Sequence, residues 1–266
     1  MRNTHRLLAW ILFFSMILGL MPSLPATVRA ADGDSVVINA MDYGADPTGA
    51  VDSTEAIWAA LEAAKESEAA GKAVTLRFPK GEYHIYKDKA QTREYHTSNT
   101  NSIENPIKTI GLLIEEHKNL TIDGEGSLFM MHGNMMALAV VKSENITLKD
   151  FAWDFAVPTV TELTVTASGS DYTEFYIPEC FPYRISGNTI VWSSELSPYT
   201  GQPYWTATGN HNTYALVTYH PDDEMARNFG TDISPFTNAS SITEVGNNVI
   251  RINYSGKNST QAEHHK

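Results

Sequence analysis

The sequence predicts an all-β protein organised as a β solenoid, with one helix near its start and a small antiparallel β subdomain inserted into it. Three observations lead to this prediction: a strand motif that recurs after 26 residues, a single amphipathic helix between short strands, and a loss of the repeat rhythm after Val165. The chain has 266 residues, of which 42% are hydrophobic, so it can bury one or two sizeable cores.

The recurring motif reads "KNLTIDGEGSLF" at residues 118–129 and "ENITLKDFAWDF" at residues 144–155. Superposed without gaps, the two copies match at five positions: Asn119 with Asn145, Leu120 with Ile146, Thr121 with Thr147, Ile122 with Leu148, and Phe129 with Phe155. Each copy alternates polar and apolar residues, which is the period of a strand with one buried face. A unit this short cannot bury that face alone, so the repeat indicates coils stacked on one another, with the asparagines in turns and ladders. The alternative is two unrelated strands of an ordinary sheet.

Residues 1–30 have the composition of a secretory signal peptide. Arg2 and Arg6 precede an apolar run over residues 7–21, and small residues lie before a cleavage point near Ala30. The run is shorter than the ~20 residues that a membrane-spanning helix needs. We therefore expect a secreted protein, extracellular, cell-surface or periplasmic, that is not inserted in a membrane after cleavage. An uncleaved anchor is the alternative.

The mature protein is expected to be acidic. The net charge of the whole sequence is −12, and removal of the three arginines in residues 1–30 brings it to about −15. This charge disfavours nucleic acid and anionic lipid as partners, and it suits neutral substrates or cations. The single cysteine, Cys180, cannot form an internal disulfide, and we expect a buried free thiol at that position.

A strand, a helix and two further strands are predicted after the leader. The first strand is expected at residues 36–38, and Asp52 and Glu55 have the spacing of a capping box before a helix that ends near Gly71. The next strands are expected at residues 74–78 and in "EYHIY". The segments "DYGADPTGAVDSTEAIWAAL" and "LRFPKGEYHI" resemble the N-terminal signature of the pectate-lyase-like superfamily. This resemblance implies a right-handed parallel β-helix with an N-terminal capping helix.

Residues 93–165 resemble a narrower family. The segments that carry this likeness are "HTSN", "NLTIDGEGS" with the following "MMHG", "SENITLKDF", and "WDF" shortly before Pro158. They are similar to glycoside hydrolase family 110, whose known members are exo-acting alpha-1,3-galactosidases. The resemblance implies an inverting glycosidase with two catalytic carboxylates and no metal or other cofactor, and a galactose-terminated glycan as its partner. It also implies a barrel-like subdomain that emerges from an early coil.

The chain is expected to divide into four parts. Short alternating runs separated by glycine and proline after Val165 predict antiparallel strands. The segment "NNVIRINYS" is interpreted as a return to the solenoid, and the polar end of the sequence as the end of an N-terminal fragment. The expected parts are a signal peptide (1–30), the cap and first coils (31–165), the antiparallel subdomain (166–235), and a truncated return to the β-helix (236–266).

The candidate site residues are one acid and several groups suited to sugar contacts. Asp154 occupies an otherwise apolar position among aromatic residues, an environment that can give an acid the raised pKa of a general acid. The alternative is that Asp154 only binds backbone amides at the start of the insertion. Asp123, beside a glycine, is interpreted as a turn residue, and the catalytic pair is expected beyond Lys266. The candidates for substrate binding are His96, Asn99, His132 and Trp153, and further groups of interest are Tyr204, Trp205 and His211.

Two other functions stay open at this point. A β-helical polygalacturonase or polysaccharide lyase would act on an acidic polymer, and it would hold that polymer with clustered basic residues or calcium. The sequence "TIDGEGS" also occurs in polygalacturonase-like proteins, but few basic residues cluster on any predicted coil. The other possibility is a non-catalytic β-helical protein that binds carbohydrate or lies at a cell surface. The oligomeric state is not predicted.

Overall fold

The computed structural model describes residues 35–96, 104–161, 163–208, 217–220, 225–228, 235–236 and 239–255. The predicted signal peptide, Asn99 and His211 therefore lie outside the described residues. Strands predominate, and the first of them are β1 (Ser35–Asn39), β2 (Thr48–Asp52), β3 (Ala73–Arg77), β4 (Glu82–Tyr86), β5 (Gln91–Glu94), β6 (Ile107–Glu115), β7 (Lys118–His132), β8 (Met136–Val141) and β9 (Glu144–Phe155). The later strands are β10 (Thr164–Ser168), β11 (Tyr172–Tyr176), β12 (Tyr183–Ser186), β13 (Thr189–Ser193), β14 (Thr206–Thr208), β15 (Val217–His220), β16 (Met225–Asn228), β17 (Ala239–Gly246) and β18 (Val249–Tyr254).

The helix α1 (Thr54–Ala69) lies where the sequence predicts it. Its buried side chains recur on one face and are Thr54, Ile57, Ala60, Leu61 and Ala64. The N-cap is Ser53, but its hydroxyl accepts the N–H of Asp46 at 2.9 Å instead of a helical N–H. The cap predicted at Asp52 is therefore one residue too early, although Asp52 accepts the N–H of Thr54 at 2.8 Å at the start of the first turn. Within the described part of the chain, no helix is long and apolar enough to cross a membrane.

Strand β7 joins two parallel layers. Its first half pairs with β3 and its second half with β4, while β9 pairs with β7 along both halves. The strand bends at Glu125 and Gly126, which have positive φ angles of 48° and 84°. Strands β1 and β2 complete the sheet at its edges. A separate sheet contains β6 and β8 in parallel, with β5 antiparallel to β6.

The core of this region lies between the parallel strands and the inner face of α1. Side chains that alternate along β7 are buried, namely Leu120, Ile122, Phe129 and Met131. They pack with buried residues of the neighbouring strands and the helix, including Leu76, Tyr83, Ile85, Leu112, Ile114 and Leu61. The alternation predicted from the sequence is therefore confirmed for β7.

The register of the repeat is confirmed in its first half and wrong in its second half. Lys118 to Asp123 pair with residues 26 positions later, so Leu120 lies opposite Ile146 as predicted. After the bend the offset is 24, and Phe129 lies opposite Trp153 instead of Phe155. The cause is a turn in β9 that is two residues shorter than "GEGS" in β7. Asp154 consequently lies opposite Met130, and not above Leu128 as the ungapped superposition predicts.

The turn and ladder asparagines are confirmed. Asn119 and Asn145 have left-handed φ angles of 57° and 55°, a conformation that asparagine tolerates. The side-chain amide of Asn145 donates a hydrogen bond to Oδ1 of Asn119 at 2.7 Å. Asp123 accepts the N–H of Glu125 at 3.3 Å, as its interpretation as a turn residue requires. The hydrogen bond from Lys149 at 2.7 Å holds the pKa of Asp123 below its usual value.

The rest of the described chain is antiparallel. The sheet order β10-β11-β18-β17 brings strands from both ends of this region together, and β12-β13-β14 form a second sheet. A separate core contains Phe175, Ile177, Ile190, Trp192, Ile250 and Ile252. Antiparallel strands are thus observed, but the predicted return to the solenoid is wrong for residues 239–255, since β18 pairs antiparallel with β11 and β17. Cys180 is exposed, so its predicted burial is also wrong.

Candidate functional site

The connection between β13 and β14, residues 194–205, reaches across to the parallel sheet, and we name it the docking loop. The hydroxyl of Ser194 accepts the N–H groups of Tyr204 at 2.6 Å and Trp205 at 3.2 Å, which closes the loop on itself. Ser197 accepts the N–H of Tyr199 at 3.1 Å and turns the chain in the same way. These bonds give the loop a defined shape.

The outer face of β4 and β7 carries a group of titratable and aromatic side chains. The inward side chains of these strands alternate with outward ones, so histidines and a tyrosine face away from the core. We name as the histidine cluster the residues Glu82, His84, Tyr86, His132 and Glu195. Nε2 of His84 lies 2.8 Å from Oε1 of Glu82, and its Nδ1 lies 3.0 Å from Nε2 of His132. The ring of Tyr86 stacks on that of His132 with 4.1 Å between the centroids.

Glu195 brings the docking loop to this cluster. Its Oε1 accepts the N–H of Gly133 at 2.9 Å and lies 3.4 Å from Nδ1 of His132. Its Oε2 is buried and has no hydrogen-bond partner among the described residues. Gly133 has a φ of +91°, and a Cβ there would lie 2.8 Å from the ring of Tyr204. Only glycine allows this close approach of the loop to the end of β7.

Two tyrosines of the docking loop bind carboxylates of the parallel region. The hydroxyl of Tyr199 donates to Oδ2 of Asp52 at 2.6 Å, and this bond raises the pKa of Tyr199 to about 12. The hydroxyl of Tyr204 donates to Oδ2 of Asp88, and burial is the main reason why the pKa of Tyr204 is raised. Ser197 donates to the other oxygen of Asp88 at 2.9 Å. Both carboxylates therefore hold the loop in place.

We name the contact between the docking loop and the parallel strands the junction. The structure brings only some of the predicted site residues to this junction. His132 belongs to the histidine cluster, and Tyr204 contacts the same surface through Asp88. Trp205 packs against the antiparallel core instead. His96 follows β5, is exposed, and lies 3.4 Å from Glu94.

Trp153 and Asp154 lie on β9, the outermost described strand of the parallel sheet. Trp153 is opposite the inward Phe129 and is 52% exposed, since no described strand pairs with the outer edge of β9. Asp154 has the opposite orientation, lies opposite Met130, and accepts the N–H of Phe155 at 2.7 Å. Asp154 and the histidine cluster therefore share the outer face, whereas Trp153 is on the inner one. Sugar binding by either residue stays a prediction.

The junction also contains residues that sequence reasoning did not select. His84, Tyr199 and Glu195 were not predicted as site residues, and Asp52 was predicted only as a helix cap. The alternation in "EYHIY" could have placed His84 on an outer face. The contact of His84 with His132, which was itself a predicted residue, could not be found in this way, because β4 and β7 pair with an offset of 46 residues and not with the 26 of the visible repeat.

Comparison with known proteins finds relatives that share one name. The chain is similar to alpha-1,3-galactosidases. It is 38% identical over 225 residues to alpha-1,3-galactosidase A of Streptomyces avermitilis, covering 82% of this chain and 35% of that protein. It is 36% identical over 180 residues to alpha-1,3-galactosidase A of Peterkaempfera griseoplana (65% and 24%) and 31% identical over 192 residues to alpha-1,3-galactosidase B of Bacteroides thetaiotaomicron (72% and 28%). The chain thus spans about a third or less of the length of these curated relatives. No family model matches it.

Proposed function

We propose that the protein containing this chain is a secreted exo-glycosidase that releases terminal alpha-1,3-linked galactose from glycans. The observation that supports this proposal is the 38% identity to the Streptomyces avermitilis alpha-1,3-galactosidase A over 82% of this chain. The matched part is only 35% of that relative, so the activity is proposed for the whole protein. Membership of glycoside hydrolase family 110 belongs to the same proposal.

The proposed architecture is the start of a right-handed parallel β-helix. Strand β6 and the two halves of β7 make three walls, and β8 and the two halves of β9 repeat them in register. The antiparallel strands lie beside this stack and contact it through the docking loop. A boundary between two such units is a common place for a ligand to bind. We therefore propose that the glycan approaches along the outer face that carries His132 and Asp154.

The proposed reaction is an inverting hydrolysis by two carboxylates. One acid protonates the leaving oxygen, and a second carboxylate activates water, with the carboxyls ~6.5 to 9.5 Å apart. Asp52, Asp88 and Glu195 accept hydrogen bonds from the protein at the junction, which suits holding the docking loop. Asp154 is exposed, and its bond to Phe155 leaves its second oxygen without a described partner. We propose that Asp154 contacts the sugar or adjusts the catalytic pair.

Incubation of the full-length protein with an alpha-1,3-linked galactosyl oligosaccharide tests the activity. Proton NMR should show galactose released first as the β-anomer, because one displacement at the α-linked carbon inverts its configuration. The matched β-linked oligosaccharide should stay intact. If no galactose is released, the proposal is wrong, and binding without turnover would instead indicate a carbohydrate-binding protein. Unsaturated products from an acidic polymer would indicate a lyase.

Secretion is tested separately. The full-length gene is expressed in a host with a secretory pathway, and the N-terminal residue of the exported protein is determined. Export with a new N-terminus at about Ala31 is expected if residues 1–30 are a signal peptide. Retention of the complete N-terminus in the membrane fraction would contradict cleavage and indicate an anchor.

A further inference from the structure

The contacts of the histidine cluster form a continuous chain between two carboxylates. In order, Oε1 of Glu82 lies 2.8 Å from His84, His84 lies 3.0 Å from His132, and His132 lies 3.4 Å from Oε1 of Glu195. The two imidazoles are largely shielded, with side-chain exposures of 20% and 12%. The first three groups belong to the parallel strands, and Glu195 belongs to the docking loop.

A count of ring protons shows which protonation state this chain of contacts fits. A neutral imidazole carries one N–H and one bare nitrogen, whereas an imidazolium carries two N–H groups. The contact between His84 and His132 needs one proton, and a donor toward each carboxylate, including the longer 3.4 Å contact from His132 to Glu195, needs one more on each ring. Three protons are therefore required on two rings, but two neutral rings carry only two. With one proton fewer, a bare nitrogen faces either the other ring or a carboxylate oxygen.

The charged groups around the pair are mainly acidic. Asp52 on β2 is in register with His84, and Asp154 on β9 is in register with Met130 of the next strand. Beyond β4, Asp88 accepts bonds from the docking loop, and the ammonium of Lys87 donates to the side-chain oxygen of Asn134 at 2.6 Å. The pair therefore lies near several carboxylates, and the ammonium of Lys87 is already bound to Asn134.

We propose that Glu82, His84, His132 and Glu195 form a protonation-dependent latch that holds the docking loop on the parallel sheet. When the two histidines carry their shared proton, every contact from Glu82 to Glu195 joins a donor to an acceptor. Loss of that proton leaves a bare ring nitrogen beside a carboxylate or a second bare nitrogen. Where the bare nitrogen faces Glu195, its contact with His132 becomes repulsive and the loop end is held more weakly; where it faces Glu82, the repulsion is at the other end of the cluster. The release should occur in the pH range in which histidine changes charge.

The backbone amide of Gly133 reports on the latch, because it donates to the same oxygen of Glu195 that faces His132. Hydrogen exchange of this amide in the full-length protein, corrected for the intrinsic pH dependence, should show roughly 10-fold less protection at about pH 8 than at about pH 6. Equal protection at both pH values would overturn the proposal.

Two variants separate the latch from other histidines. His132→Gln should abolish the change in Gly133 protection between the two pH values, because glutamine does not titrate. The matched control His96→Gln removes an exposed histidine that pairs with Glu94, and it should keep the change. A His132→Gln protein that retains the full pH response would exclude the latch.

A measurement on the unsubstituted protein covers the case in which His132→Gln does not fold. NMR of ¹⁵N-histidine-labelled protein should show the rings of His84 and His132 responding to pH together, since coupled groups lose a shared proton as a pair. The Gly133 amide resonance should move over the same pH range. Independent titration of the two rings, or a Gly133 resonance that stays unchanged, would contradict the proposal.

Discussion

The substitution Glu68→Ala tests how helix α1 is held on the parallel strands. Glu68 lies in the last turn of α1, and only 5% of its side chain is exposed. Its Oε1 lies 2.9 Å from Nδ1 of His117, whose side chain is 1% exposed. Its Oε2 accepts the N–H of Lys118 at 2.8 Å. One carboxylate therefore joins the end of the helix to the turn between β6 and β7.

The expected loss follows from these two contacts. A hydrogen bond to a charged group contributes about 1.5–3 kcal/mol, and Glu68 takes part in two such contacts. We expect Glu68→Ala to lower the free energy of unfolding by about 3–5 kcal/mol, because His117 and the Lys118 amide lose their partner. Glu68→Gln keeps a polar group of the same size, so its expected cost is about 1–2 kcal/mol.

Denaturant unfolding and hydrogen exchange of the full-length protein provide the assay. The exchange of the Lys118 amide should accelerate in Glu68→Ala, which locates the loss at this contact. The matched control is Glu66→Ala, an exposed position on the same helix, with an expected effect within about 0.5 kcal/mol. If Glu68→Ala is as stable as Glu66→Ala, the buried pair does not hold the helix.

Three further predictions concern the docking loop, the bend of β7 and the outer face. The pKa of Tyr199 is raised to about 12, above its value of about 10 in the unfolded chain. The contribution of this hydroxyl to stability is therefore complete below about pH 10 and is lost as the pH rises through about 12. Thermal unfolding should therefore show that Tyr199→Phe loses less stability than the unsubstituted protein between about pH 9 and about pH 12. A Cβ on Gly124 would lie 2.4 Å from Cβ of Phe151, and Gly124→Ala should cost about 1–3 kcal/mol in denaturant unfolding, whereas Gly246→Ala, with ordinary contacts, should cost less. Asp154→Asn should lower turnover of a galactoside by roughly 10²-fold with little change in melting temperature, and a destabilised but fully active variant would exclude a role in the reaction.

The features that could be predicted from the sequence are those whose cause is local. Helix α1 has its acids and apolar positions within a few turns of chain, and β7 shows its buried face by alternation alone. The Asn119–Asn145 ladder was visible because the two copies of the motif lie in adjacent strands. In each case the residues that determine the structure are close together in the sequence or in the repeat.

The features that were missed depend on contacts that no local pattern encodes. Alternation shows that β18 has a buried face, but Ile250 and Ile252 would look the same in a parallel coil as in the antiparallel sheet that they join. The histidine cluster needs both the register between β4 and β7 and the position of Glu195 on a loop more than sixty residues away. That placement depends on how the docking loop folds against the sheet.

The shorter turn in β9 shows which changes in length the stack can accept. Side chains alternate between the two faces of a strand, so an even change in turn length keeps every later residue on its original face. The shift from 26 to 24 is even, and Phe151, Trp153 and Phe155 still lie opposite the inward residues of β7. A change of one residue would instead bring Ala152 and Asp154 to the apolar side and expose the aromatic rings. Insertions and deletions at this corner should therefore be tolerated in steps of two residues, which would let related coils differ in turn length while their walls stay the same.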